Sequence, residues 1–129
     1  MTDNMQTYRT VTPYLVVANA DAEMRFLKAA FDAKEVFCDR KPNQEVTHAE
    51  MRVGDSLIML GQAGEQWKAL PAALYLWVAD VDDTYAKAVA AGATSQSAPE
   101  DKPYGHRNAG VVDQSGITWW IGSPVKQSR

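Results

Sequence analysis

A chain of 129 residues, 46% apolar and 22% charged, fits one compact soluble domain, able to bury roughly two thirds of its unfolded surface without a disulfide or structural metal. The net charge of −3, with Lys and Arg scattered, argues against nucleic-acid and membrane partners and leaves a neutral or cationic small organic ligand. Cys38 is the only cysteine, no run is long enough to cross a bilayer, and the opening MTDNMQTYRT lacks an apolar leader segment, so the expected location is the reducing cytoplasm.

The first element is the apolar strand beginning at Tyr14 in YLVVANAD, followed by an Asn19 or Asp21 N-cap and a helix with Phe26, Leu27, Ala30 and Phe31 on one face. A short strand VFCD comes next. THAEMRV and SLIML then read as a hairpin closed by Gly54-Asp55. At Tyr75, 61 residues after Tyr14, the chain reads YLWVADVD, repeating five of the eight positions. A second helix follows, with Val81, Tyr85, Ala88 and Val89 on its inner face and Gly92 as a stop. Then come TSQSA, a polar loop from Pro99 to Arg107, NAGVV, a turn from Asp113 to Gly116, and ITWWIG. The pattern is βαβββ written twice, about 10–62 and 71–124, joined by a linker over 63–70 within a single domain over 1–129.

This layout resembles the vicinal oxygen chelate superfamily of glyoxalases, bleomycin-resistance proteins and extradiol dioxygenases, and within it the small PhnB-like proteins. The segments that carry the likeness are PYL at Pro13, HAEMRVGDSLIML at His48, DVDDTYAKAVAAGA at Asp80, YGHR at Tyr104 and DQSGITWW at Asp113. They cover nearly the whole chain. Two departures stand out: Phe31 is not followed by the expected glycine, and Gln114-Ser115 occupies a turn that usually carries proline. The resemblance implies an α+β fold of two βαβββ modules, forming a curved, mixed eight-stranded sheet around one cleft with helices on the convex side. It also implies a homodimer.

Strand alternation sorts the faces. In THAEMRV, Thr47, Ala49, Met51 and Val53 suit a covering helix, which leaves His48, Glu50 and Arg52 on the concave side. A two-residue turn at Gly54-Asp55 puts Met59 opposite Glu50. In the fifth strand Leu74, Leu76 and Val78 form the core set, so Tyr75 and Trp77 face the cleft, and Tyr14 takes the matching place in the first strand. The resemblance places Trp119 in the core and Trp120 on the concave side. The ligand-binding candidates are thus Tyr14, His48, Glu50, Arg52, Met59, Tyr75, Trp77 and Trp120, a mix that suits a flat, partly apolar molecule.

Metal-dependent relatives hold a divalent ion with His and Glu. Their positions correspond here to Thr12, Met59 or Leu60, Ala73 and Trp120, none of them a usual ligand. A site rebuilt on His48 and Glu50 needs a third donor from Glu45, His106 or Asp113, which the pattern does not bring together. No metal or other cofactor is therefore expected.

Two functions follow. One is a metal-free binder that sequesters an aromatic or cationic compound, similar in kind to bleomycin-resistance proteins. The other is a lyase, isomerase or dioxygenase, with His48 and Glu50 as acid/base candidates or as the core of an unusual metal set. Each site residue also has a plain reading: a His48–Glu50 hydrogen bond without function, a solvated Arg52–Glu50 pair, Tyr75 and Trp77 at a subunit contact, and His106 in solvent.

Overall fold

The structure, a computed structural model, describes residues 8–125. The start of the segment on which the absence of a leader rests lies outside them. Among the described residues the order is β1 (Tyr14–Val17), α1 (Ala20–Phe31), β2 (Lys34–Arg40), β3 (Val46–Val53), β4 (Ser56–Gln62), β5 (Ala72–Trp77), α2 (Val81–Ala90), β6 (Thr94–Asp101), β7 (His106–Val112) and β8 (Ile117–Pro124). The α+β, twice-written βαβββ pattern is what forms, with each module building its own four-stranded mixed sheet. Of the two compact units, one runs up to Leu70, and the other takes Pro71 onward together with Ala29–Phe31.

In the first unit the strands lie in the order β1-β4-β3-β2, with β1 parallel to β4 and the other pairs antiparallel. Asn19 caps α1 by accepting from the Ala22 amide. The missing glycine is replaced by Asp32, which takes the left-handed conformation itself at φ 56° and closes the helix with its amide. Asp21, in the first turn of α1, receives two hydrogen bonds from the Arg40 guanidinium at the end of β2, and this holds its carboxyl below the usual range.

The two-residue turn closes as expected, pairing Val53 with Ser56 and Glu50 with Met59. Ala49, Met51 and Val53 are buried, but Thr47 is not: it is exposed, and Val46 is buried in its stead. The cause is a bulge. Asp39 pairs with His48 and Arg40 with Val46, leaving Thr47 as an extra residue that reverses the parity of β3. The Thr47 hydroxyl turns to the Asp39 backbone and carboxylate instead.

In the second unit the order β5-β8-β7-β6 repeats the first, with β5 parallel to β8. Asp80 caps α2, which packs on β6, β7 and β8. Val81 and Ala88 are buried and Tyr85 half-buried; Val89, expected inside, is exposed, so the apolar stripe of α2 is narrower than the sequence suggests. Leu74, Leu76 and Val78 alternate with exposed neighbours as expected, though they are half-buried rather than enclosed. Most of the expected Pro99 to Arg107 loop is strand: β6 continues to Asp101, and β7 already starts at His106. Pro99 is tolerated because β6 is an outer strand, bulged between Ser97 and Glu100.

The β7–β8 connection is organised by one buried carboxylate. Asp113 Oδ1 accepts from the amides of Ser115 and Ile117, and Oδ2 accepts from the Trp119 indole at 2.9 Å. Gly116, at φ 83°, completes the turn. Arg107 bridges Asp101 on β6 and Asp82 at the start of α2, and these two carboxylates raise its already high pKa.

Candidate functional site

In each sheet the residues of one face form rows that cross the strands. In the first unit Tyr14 pairs with Met59, Met59 with Glu50, and Glu50 with Phe37. Cross-strand partners share a face, so these four side chains line up across β1, β4, β3 and β2. His48, two residues from Glu50, lies on the same side; its ring centroid is 5.7 Å from that of Tyr14 and 6.1 Å from that of Phe37.

The polar centre of this face is Glu50, which is nearly buried. One carboxylate oxygen accepts from the Tyr8 hydroxyl and the other bonds His48 Nε2, each at 2.8 Å. The chain Tyr8–Glu50–His48 holds the imidazole with Nε2 toward the carboxylate, so Nδ1 is the nitrogen left for a ligand. The hydrogen bond to Glu50 raises the Tyr8 pKa above its usual value, aided by partial burial and the carboxylate charge. Arg52 is half-buried, one step further along β3.

The second unit repeats the first row with different chemistry. Tyr75 pairs with Trp120, and Trp120 with Gly110. Where Glu50 stands in the first row, Gly110 leaves room for the Trp120 indole; a Cβ there would come within 2.8 Å of its Cε3. The tyrosines are seated alike. A Cβ on Gly61 would meet the Tyr14 hydroxyl at 3.0 Å, and one on Gly122 would meet Tyr75 Cε1 at 2.7 Å. The 61-residue echo thus extends to the glycines beneath the rings.

Around Tyr75 the side chains form an open aromatic cluster. The Tyr75 and Trp77 centroids are 4.7 Å apart, His106 meets Trp77 edge-on at 4.9 Å, and Tyr104 meets His106 edge-on at 5.3 Å. Tyr75, Trp77 and Tyr104 are 40%, 54% and 64% exposed. Beside them Asn108 is buried, and its Nδ2 donates to the hydroxyls of Tyr104 and Tyr75. Trp119 is in the core and Trp120 half-buried.

Of the residues expected at a site, Tyr14, His48, Glu50, Arg52 and Met59 belong to the first sheet's face, and Tyr75, Trp77 and Trp120 to the second's. Four further residues, Phe37, Tyr104, Asn108 and Tyr8, escaped the sequence reading, and a fifth, His106, entered it only as a third metal donor or a residue in solvent. Phe37 was hidden by a bulge at Val36, the extra residue between the Glu35 and Phe37 pairs. His106, Tyr104 and Asn108 were hidden by the misplaced loop; starting β7 at His106 would have put His106 and Asn108 on one face by parity alone. His106, expected in solvent, is half-buried among rings. Tyr8 precedes β1 in a stretch without periodicity, and no sequence signal marks it.

The superfamily's divalent ion does not fit these residues. At the places the resemblance assigns to its ligands, Thr12 donates its hydroxyl to the Arg9 carbonyl, Met59 offers only a thioether, and Leu60, Ala73 and Trp120 offer no ligand atom. Glu50 is engaged by Tyr8 and His48, and Asp113 by three donors. No cluster of three His, Cys, Asp or Glu suited to a metal occurs among the described residues, nor is any helix among them long and apolar enough to cross a membrane.

Comparison with known proteins agrees with this architecture. Residues 9–121 match the model of the Glyoxalase/Bleomycin resistance protein/Dioxygenase superfamily. An uncharacterized protein of Mycobacterium bovis is 33% identical over 91% of this chain and 84% of its own length. Among solved structures, TioX from Micromonospora sp. ML1 aligns with a TM-score of 0.78 at 23% identity, over 91% of this chain and 99% of that one. A PhnB protein from Bacillus cereus, titled a putative 3-demethylubiquinone-9 3-methyltransferase, aligns at 0.69 and 16% identity, over 89% and 99%. At such identities the solved structures establish the fold alone. With the family model spanning most of the chain, this protein belongs to the Glyoxalase/Bleomycin resistance protein/Dioxygenase superfamily.

Proposed function

We propose that this protein binds and sequesters a small aromatic or cationic compound, in the manner of bleomycin-resistance proteins, without the superfamily's metal chemistry. The observation that carries the reading is the open cluster of Tyr75, Trp77 and Tyr104 around the half-buried His106, the first three rings remaining accessible although large apolar side chains are normally withdrawn from water. Such rings hold a flat molecule by stacking and a cation through their negatively charged faces. The reading includes a homodimer, supported by the exposure of Val36 and Phe37 on the outer strand β2.

The test is a tryptophan-fluorescence titration with a panel of planar heteroaromatic and quaternary ammonium probes. Saturable binding, weakened about fivefold or more in Tyr75→Ala and Trp77→Ala, supports the reading, since one stacked ring contributes about 1 kcal/mol. Equal affinities in wild type and both variants overturn it.

A second reading, an acid/base enzyme, is favoured by the Tyr8–Glu50–His48 chain, which presents an oriented imidazole beside Tyr14 and Phe37. Turnover in glyoxalase-type and isomerase-type assays that collapses in His48→Ala and Glu50→Gln supports it. A rate untouched by both substitutions rules that mechanism out.

A further inference from the structure

Asn108 is 4% exposed, yet only half of its amide is satisfied. Nδ2 donates to Tyr104 Oη at 3.1 Å and to Tyr75 Oη at 3.4 Å, while Oδ1 is buried and accepts no hydrogen bond. A buried carbonyl oxygen without a donor is rare in folded proteins, because its interaction with water is lost and nothing replaces it. Its amide partner Nδ2 meets the hydroxyl ends of two exposed tyrosines, in a cluster completed by Trp77 and His106. Its place is set by the sheet. Asn108 pairs with Gly122, the glycine over which Tyr75 lies, so the amide and the phenol meet above a position that has no side chain of its own.

We infer that Asn108 Oδ1 is the specificity-determining acceptor of the aromatic face, and that the ligand is a flat aromatic molecule carrying a hydrogen-bond donor, such as an amino N–H, on its rim. The inference rests on the binding function proposed above and narrows its ligand class. Trp77 and Tyr75 supply stacking surface, which accepts any flat ring. Asn108 supplies a direction, because its two amide hydrogens are committed to Tyr104 and Tyr75 and only an acceptor remains. In the free protein Oδ1 is already closed to solvent and unpaired; a ring without a rim donor leaves it so, whereas a ring whose donor reaches it as the exposed Tyr104 yields would satisfy it. Discrimination built on a buried polar group left unpaired by the wrong ligand is larger than a pocket obtains from shape alone.

The experiment compares quinoline with 2-aminoquinoline, nearly isosteric rings that differ by the amino donor, through quenching of tryptophan fluorescence. It is run near pH 9, below the usual tyrosine pKa of about 10. Wild type is expected to bind 2-aminoquinoline about tenfold more tightly, the worth of one buried hydrogen bond. In Asn108→Leu the ratio falls to within about twofold of unity, while Asn108→Asp, which keeps an acceptor, retains the preference. Circular dichroism checks that both variants fold, and the wild-type ratio alone remains decisive if one does not. Equal binding of both probes to wild type overturns the role of Asn108 and leaves the aromatic face a generic binder. Binding of neither probe, nor of any other ring in the panel, overturns the binding function itself.

Discussion

His48 and Glu50, two residues apart on β3, are joined by a 2.8 Å hydrogen bond from Nε2 to Oε2, and the other oxygen of Glu50 accepts from Tyr8 at the same distance. The carboxylate favours the neutral phenol, whose deprotonation would set two negative charges side by side. Tyr8 should therefore ionise above the ordinary tyrosine value of about 10. Its pKa is raised on folding, so the stability it supplies is complete below the unfolded value and disappears as pH rises through the folded one. The difference in ultraviolet absorbance between wild type and Tyr8→Phe, followed through alkaline pH, should show a late phenol titration that moves earlier in Glu50→Gln. An early titration in both would mean the hydrogen bond is absent in solution.

Asp113 should be a stability residue with no part in binding. Its carboxylate serves two backbone amides and the Trp119 indole, all buried with it or beside it. Asp113→Ala orphans three donors and should cost about 2–4 kcal/mol, as removal of a buried charged acceptor does. Urea unfolding should show the midpoint falling with an unchanged slope. A loss below about 0.5 kcal/mol would contradict the hydrogen-bond assignment.

Gly122→Ala should impair ligand binding as well as stability. The new methyl group would overlap the Tyr75 ring and push it away from Asn108. The ring is partly exposed and can yield, so a stability loss of about 1–3 kcal/mol is expected from crowding. Quinoline affinity should drop as it does in Tyr75→Ala. Unchanged affinity would show that the ring need not lie over this glycine.

Metal supplementation provides a fourth check. The places of the family's ligands hold a hydroxyl, a thioether and apolar groups, so protein dialysed against Ni, Zn, Mn or Fe should retain well below one equivalent per chain by elemental mass spectrometry. Near-stoichiometric retention would require His48 and Glu50 to leave their present partners and recruit a third donor.

The sequence carried the fold wherever a local rule determined it. The Gly54-Asp55 turn set the Glu50–Met59 pairing, and the repeated tyrosine set the two modules. It failed where pairing inserts a residue. The bulge at Thr47 exchanges buried and exposed positions, and no propensity in VTHA announces it. The aromatic face was half legible: Tyr75 and Trp77 followed from alternation, whereas Tyr104 and Asn108 join them only because just four residues separate the end of β6 from the start of β7. Tyr8 reaches Glu50 across 42 positions of sequence, a separation at which local patterns say nothing.

The arginine anchors show that the two modules are not interchangeable. Asp21 and Asp82 hold the same place in the repeat, but Arg40 has Asp101 as its counterpart, so one module carries a cation where the other carries an anion. Arg107, from a different strand, now serves both acids. A hybrid chain in which the β6 segment replaced β2 would set Asp101 against Asp21 with no arginine between them. The two halves share a strand order, and the electrostatics of each accept only its own strands.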